Sequence, residues 1–232
     1  MKRAIVLAVV AVALAGCTNP PPSTPRVATE TPAQLGRRNA REELVHAVRA
    51  YTMRLRNVRC DGVALGSGFA IDKRTIVTNR HVVEFGSRLE VDTWDGRSLA
   101  VASVEQAVGA DLALVHLAED APAVAPKMAA KDPKVDTQLY LLGYPGGNPA
   151  RASKGRVVDY PTDPRYDAFG KVMELTGHAI GGNSGGPLFD KQGRIVGVVF
   201  AIQLRDGWVM AMPVSRLRAL LDGGPREPVV PC

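Results

Sequence analysis

The sequence predicts an all-β fold: one domain with two small lobes. From Cys60 onward, short runs of apolar and β-branched residues alternate with clusters of Gly, Pro, Asn and Asp, a pattern typical of β-barrels. The chain has 232 residues, of which roughly 190 have a globular composition, enough for one domain. A helical segment is expected on each side of the strand-rich region.

The first helix is predicted over residues 39–58. Asn39 is a suitable N-cap, and Glu42 follows three residues later in the register of a capping box. Apolar side chains then recur at helical spacing and predict one face packed against the domain. These residues are Leu44, Val48, Tyr51 and Leu55.

The strands fall into two groups, joined by an Ala- and Pro-rich crossing over residues 118–133. The first group is predicted at 63–71, 75–78, 88–94, 98–104 and 112–117. The second group is predicted at 138–143, 153–159, 172–176, 187–189, 194–202 and 208–212. Pro213 then begins a short helix that ends at residue 221, because proline is favoured in a first helical turn.

The N-terminus has the pattern of an export signal over residues 1–16. Lys2 and Arg3 form a basic region, and the apolar stretch after them is too short for a comfortable membrane span. Residues 14–17, Leu-Ala-Gly-Cys, resemble a bacterial lipobox, which implies that Cys17 is lipidated and becomes the first mature residue. The alternative is an ordinary secretory signal with an incidental cysteine. If Cys17 is lipidated, residues 17–38 form a Pro-rich tether between the membrane and the folded domain.

Charge, cysteine content and the absence of certain motifs limit the ligands and cross-links that the sequence predicts. The formal net charge is +6, but the chain has no dense Lys/Arg run, so no nucleic-acid partner is expected. Cys60 and Cys232 form an even pair in an exported chain and predict a disulfide, with two unpaired thiols as the alternative. No metal-binding or phosphate-binding motif is present, and no cofactor is expected.

The most informative motif is the glycine-rich segment 181–187, Gly-Gly-Asn-Ser-Gly-Gly-Pro, which contains Ser184. Small neighbours let the chain turn sharply, let a substrate carbonyl approach, and leave main-chain N–H groups free. His81 and Asp111 precede it along the chain. The order His, Asp, Ser suits a general base, the acid that orients it, and a nucleophile, although each residue alone also fits a structural role.

Six motifs in order resemble the trypsin-like serine protease family, in particular its bacterial HtrA (DegP-like) branch. They lie at 66–71, 78–83, 111–115, 142–147, 182–187 and 193–198, and the resemblance extends over about 62–213. It implies a chymotrypsin-like fold of two six-stranded antiparallel barrels, with barrel one over about 60–122 and barrel two over about 135–213. The protease domain would span residues 39–232.

The same resemblance assigns roles to residues. Ser184 would be the nucleophile, His81 the base and Asp111 its partner, with the N–H groups of Gly182 and Ser184 as the oxyanion hole. Asn183 departs from the digestive enzymes, where an Asp pairs with a new N-terminus, so zymogen activation of that kind is not expected. The tail after residue 213 is short, and no PDZ domain is expected.

The specificity pocket is predicted to involve His178, Phe200 and Ile202. The segments that contain these residues have no acidic side chain to pair with Lys or Arg of a substrate, so we expect cleavage after small or medium apolar residues. The alternative is that His178 recognises an acidic side chain. Residues 160–170 are predicted to form a loop over the site.

The function predicted from these observations is a serine-type endopeptidase that hydrolyses exported proteins through an acyl-enzyme. Its partners would be protein or peptide substrates and, through the lipid anchor, the outer face of the bacterial cell membrane, in the periplasm or at the cell surface. The oligomeric state is left open. The alternative is a latent or inactive protease-fold lipoprotein that acts as a binding scaffold.

Overall fold

A computed structural model describes residues 32–122, 127–163, 170–203 and 208–232, without the side chains of 32–40 and 201–203. The predicted signal, Cys17 and the tether as far as residue 31 lie outside these residues. Within the described part of the chain, no helix is both long and apolar enough to cross a membrane. The described residues confirm the predicted all-β class with two lobes.

The first lobe is one sheet of eight strands in the order β14-β6-β7-β3-β2-β1-β4-β5. Its strands are β1 (Thr52–Arg59), β2 (Gly62–Ala70), β3 (Thr75–Thr78), β4 (Gly86–Asp92), β5 (Ser98–Leu99), β6 (Val101–Ala107), β7 (Ala113–Leu117) and β14 (Arg226–Pro228). This sheet has more strands than the six expected, because the C-terminal tail adds β14 beside β6 and the predicted strand 98–104 divides at Ala100. The Ala100 N–H bonds to the Glu119 carboxylate instead of a neighbouring strand.

The second lobe is the closed six-stranded barrel that was predicted. Its order is β10-β13-β12-β11-β8-β9, with every pairing antiparallel. The strands are β8 (Gln138–Gly143), β9 (Arg151–Asp159), β10 (Met173–Thr176), β11 (Pro187–Phe189), β12 (Ile195–Gln203) and β13 (Trp208–Pro213). Helix α3 (Val214–Leu221) follows directly and buries Val214, Leu217 and Leu220.

The N-terminal helix is shifted relative to its prediction. Helix α1 spans Pro32–Arg49, so Asn39 lies inside it and residues 32–38 are helical rather than an extended tether. Pro32 occupies the first turn, where its missing N–H has no intrahelical partner to lose. The predicted helix over 50–58 is wrong, since most of that segment is strand β1.

Strand β1 pairs with β2 from Thr52 to Arg59, and its side chains alternate between the two faces. Met53, Leu55 and Asn57 are buried, while Arg54 and Arg56 are exposed. Tyr51 and Leu55 are four residues apart, a spacing that satisfies both the helical period and the strand period of two. The segment forms a strand because pairing with β2 and β4 satisfies the main-chain hydrogen bonds of both its edges.

A disulfide joins Cys60 to Cys232 and encloses a sequence separation of 172 residues. It fixes the C-terminal tail, and with it β14, to the turn between β1 and β2. The tail is also paired with β6 through Arg226, Glu227 and Pro228. The second lobe therefore ends with a segment that is part of the first lobe.

Arg216 also connects the two lobes, from a buried ion pair within the second. The Arg216 guanidinium on α3 contacts the Asp163 carboxylate at 2.7 Å, with side-chain exposures of 12% and 0%. The same guanidinium donates to the Gly109 carbonyl at 2.7 Å. Because Gly109 precedes Asp111 by two residues, α3 helps to fix the segment that carries this acid.

Replacing Arg216 with Met should destabilise the protein by about 3–5 kcal/mol, because it removes a cation that faces the buried Asp163 carboxylate. The double variant Arg216→Met/Asp163→Leu, which removes both members of this pair, should be less destabilised than the single variant in urea unfolding. Arg56→Met, which breaks the exposed pair with Glu90, is the control and should leave the midpoint nearly unchanged. An equal, small effect of both single changes would contradict this role of the buried pair.

Candidate active site

Helix α2 (Arg80–Val83) positions His81 immediately after β3. The imidazole Nδ1 lies 2.7 Å from Oδ2 of Asp111, and the His81 main-chain N–H donates to Oδ1 at 3.0 Å. Asp111 is 1% exposed, whereas the His81 side chain is 30% exposed. One buried carboxylate therefore holds both the imidazole ring and the main chain of His81. With the Nδ1 proton directed at Asp111, Nε2 is left as a proton acceptor.

Two side chains hold the main chain at Asp111 and at His81. The Asn79 side-chain amide donates to the Asp111 carbonyl at 2.7 Å. The Arg59 guanidinium donates to the His81 carbonyl. His81 and Asp111 therefore lie in a framework that spans β1, β3 and β7.

Ser184 reaches this framework from the second lobe through a close approach to β2. The Ser67 N–H donates to the Ser184 carbonyl at 2.7 Å. Gly66 lies at the contact: a Cβ there would be 2.5 Å from Cγ1 of Val82 and 3.2 Å from the Ser184 carbonyl oxygen. The absence of a side chain at Gly66 is what lets α2 and the Ser184 segment share one junction.

The Ser184 hydroxyl points at the Phe200 carbonyl, 3.5 Å away. Within the described residues it has no hydrogen bond to His81. The structure thus brings His81, Asp111 and Ser184 to one junction, with His81 and Asp111 bonded to each other and the Ser184 hydroxyl turned toward β12.

Among residues 181–186, three main-chain N–H groups have no hydrogen bond within the described part of the chain: those of Gly181, Gly182 and Ser184. The N–H groups of Asn183, Gly185 and Gly186 bond to main-chain carbonyls. The Gly181 carbonyl accepts from the Gly146 N–H at 2.7 Å, so the Gly182 N–H on the same planar peptide points the opposite way.

Position 182 accommodates only glycine. Its φ is +96°, and a Cβ would lie 2.4 Å from the Tyr144 carbonyl oxygen and 2.7 Å from the Gly146 nitrogen. Any larger residue would force the segment 181–183 away from the loop that follows β8.

Sequence reasoning missed Ser67 as part of the site. Its buried hydroxyl donates to the Gly182 carbonyl at 2.7 Å and accepts from the Tyr144 N–H at 2.9 Å. The flanking glycines of Gly66-Ser67-Gly68 are the sequence signal for a close approach at this position. Burial raises the pKa of the Tyr144 hydroxyl, which stays neutral and donates to the Thr52 carbonyl at 3.1 Å.

The predicted specificity residues are dispersed. His178 is exposed and lines a cavity of about 410 Å³ together with Ile180 and Asn183. Phe200 is 1% exposed and does not line this cavity. The Ile202 side chain and most of the predicted loop 160–170 lie outside the described residues. In the described ranges, no three His, Cys, Asp or Glu side chains converge in a way that would hold a metal ion.

Two β lobes with a serine, a histidine and an aspartate at their junction define the chymotrypsin-like class of fold. The family model of the trypsin-like peptidase domain matches residues 66–198, more than half of the chain. The chain belongs to this family of serine-type peptidases.

The proteins that this chain resembles include bacterial serine proteases. The serine protease Rv3671c of Mycobacterium tuberculosis is 32% identical over 157 residues, covering 64% of this chain and 38% of that protein. The periplasmic serine endoprotease DegP of Escherichia coli is 33% identical over 149 residues, covering 62% of this chain and 31% of that protein. The chain therefore spans about a third of the length of these relatives.

The crystal structure of the Rv3671c protease from M. tuberculosis in its active form has a similar fold. The TM-score is 0.73 at 25% identity, and the match covers 88% of this chain and 91% of that structure.

Replacing Gly66 with Ala should keep the protein folded but lower its reaction with a serine-directed phosphonate by about 10²-fold, because displacement of reacting groups by about 1 Å has that effect. The new Cβ would push Val82 and the Ser184 carbonyl apart. Gly66→Ala/Val82→Ala removes the clashing methyl groups and should restore part of the rate. Thermal unfolding checks that both variants fold, and an unchanged rate in the single variant would contradict the proposed contact.

Proposed function

We propose that this protein is a serine endopeptidase that cleaves peptide bonds of exported proteins through His81, Asp111 and Ser184. The observation that carries the proposal is the buried Asp111 carboxylate with both oxygens bonded to His81, at the junction that Ser184 also reaches. This arrangement leaves Nε2 to accept a proton from a nearby hydroxyl.

The proposed reaction starts with rotation of the Ser184 hydroxyl from the Phe200 carbonyl toward His81. The oxygen attacks the scissile carbonyl carbon while its proton passes to Nε2, and Asp111 stabilises the imidazolium. The C–N bond then breaks, and His81 returns the proton to the departing amine. Water hydrolyses the resulting acyl-enzyme by the same two proton transfers in reverse roles.

We assign the oxyanion hole to the N–H groups of Gly182 and Ser184. Support comes from their lack of main-chain partners among the described residues and from the Gly181 carbonyl, which is held away by Gly146. Two preorganised donors stabilise the negative oxygen of the tetrahedral intermediate, and loss of one donor of this kind costs about 10²–10³ in rate.

The proposed location is the outer face of the bacterial membrane. Residues 1–16 are assigned as an export signal, Cys17 as the lipidated residue and 17–31 as the tether, with the protease domain from α1 to Cys232. Support comes from the basic and apolar pattern of the signal, the lipobox-like Leu-Ala-Gly-Cys and the disulfide, which suits an oxidising compartment. The DegP relatives that are named periplasmic are consistent with this location.

A latent scaffold is the second candidate function. It is favoured by one observation: the Ser184 hydroxyl is bonded to the Phe200 carbonyl rather than to His81. A protein that stays in this state would bind peptides at the junction without cleaving them.

Labelling with a fluorophosphonate decides between the two. The full chain should label covalently, Ser184→Ala and His81→Ala should not, and Asp111→Asn should label about 10⁴-fold more slowly, because the imidazole then adopts the wrong tautomer. His46→Ala, which changes an exposed histidine on α1, is the control for loss of a histidine and should label normally. Absence of labelling in a folded wild-type protein would contradict the peptidase and favour the scaffold.

A further inference from the structure

The turn between β6 and β7 carries Asp111, and a main-chain hydrogen bond joins its two ends. The Ala107 N–H donates to the Leu112 carbonyl at 2.9 Å. The next residue, Val108, donates its N–H to the Pro225 carbonyl at 2.9 Å, in the C-terminal tail. Because the turn is closed in this way, a displacement of Ala107 would also displace Asp111.

Arg80 reaches this turn from α2, although the proposed reaction uses none of its atoms. Its guanidinium donates to the Ala107 carbonyl at 3.2 Å. Arg80 is the residue directly before His81, and its side chain is 24% exposed. One side chain therefore joins the helix that positions His81 to the turn that positions Asp111.

Glu227 of β14 contacts the same guanidinium. Its Oε1 lies 3.2 Å from Nη2 of Arg80 and accepts from the Gln106 side-chain amide at 2.9 Å. Gln106 is opposite Glu227 in the pairing of β6 with β14 and is only 7% exposed, so it gives the carboxylate a fixed anchor. The Glu84 carboxylate lies 3.8 Å from Nε of Arg80. The donors of a guanidinium lie in one rigid plane, and acceptors on separate elements therefore fix its orientation.

We infer that Arg80 is a positioning residue for the pair of His81 and Asp111, and that Glu227 holds Arg80 in the orientation this requires. The inference rests on the proposed function, since it concerns the same base and acid. The spacing of the pair then depends on the C-terminal strand, which follows both lobes in the chain. The site is complete only when β14 has paired with β6.

The rate of fluorophosphonate labelling, measured on the full chain over a range of probe concentrations, tests this role. Arg80→Gln should lower the maximal rate by about 10- to 100-fold, because it allows the base and the acid to shift by a fraction of an ångström. Glu227→Gln should lower it by about 3- to 10-fold, because a neutral acceptor replaces a charged one. The half-saturating probe concentration should not change, since neither side chain takes part in the proposed reaction.

The neighbouring residue of β14 gives a matched control. Arg226 contacts the Glu105 carboxylate at 3.3 Å, with side-chain exposures of 32% and 37%, and this pair joins β14 to β6 and not to α2. Arg226→Gln should therefore label at the wild-type rate. Thermal unfolding should be close to wild type in Arg226→Gln and Glu227→Gln, because pairs this exposed contribute little to stability. Equal slowing by these two changes would show a general effect of loosening β14 and would overturn the inference.

Two further variants separate geometry from charge. Arg80→Lys keeps the positive charge, but an ammonium group cannot reproduce the planar fork, so labelling should stay slow. A wild-type rate in this variant would assign the effect to charge alone and overturn the inference. Arg80→Gln/Glu227→Gln should label no more slowly than Arg80→Gln, because Glu227 acts through Arg80. Effects that multiply would contradict that dependence.

A spectroscopic readout tests the inference without any reaction at Ser184. The imidazole proton shared with the Asp111 carboxylate should give a downfield ¹H NMR resonance that is absent from His81→Ala. This resonance should weaken or disappear in Arg80→Gln and persist in Arg226→Gln. If the wild-type chain does not label, the proposed function fails, whereas the resonance still decides the role of Arg80. An unchanged resonance in Arg80→Gln overturns the inference.

Discussion

The site depends on one main-chain hydrogen bond between the two lobes, from the Ser67 N–H to the Ser184 carbonyl. Ser67 extends this contact in two directions. Its carbonyl accepts from the Thr78 hydroxyl, just before α2 and His81, and its own hydroxyl donates to Gly182. A single residue of β2 therefore relates the proposed base, nucleophile and oxyanion loop. Gly66 makes this possible because a Cβ there would clash with Val82.

Most strands could be predicted because their apolar residues and turn residues are local signals. The closed barrel and β3, β4 and β7 match their predicted positions within a few residues. Residues 50–58 were misassigned because Tyr51 and Leu55 satisfy two periods at once, and only pairing with β2 and β4 decides between them. Strand β14 was missed since a segment of three residues, Arg226–Pro228, has no periodicity. Its pairing is imposed by the chain's return to β6 and by the Cys60–Cys232 bond.

The candidate site divides in the same way. His81, Asp111 and Ser184 are recognisable because each lies in a motif whose local sequence is unusual. Arg59 and Arg216 contribute through long-range contacts that no neighbouring residue indicates, whereas Ser67 is marked only by the glycines on either side of it. His178 and Phe200 were predicted to share a pocket because they lie shortly before and shortly after Ser184 in the sequence. The side chain of Phe200 instead points inward from β12 and packs in the core.

Asn183 determines which forces hold the proposed oxyanion loop. An aspartate at this position would need a buried cation, and such a pair fixes a loop by several kcal/mol once formed. A neutral amide contributes about 1 kcal/mol per hydrogen bond. The loop is instead held by neutral contacts from Ser67, Gly146 and Ile180. Because Asn183 has no charge, the position of this segment depends on several neutral hydrogen bonds, each of modest energy.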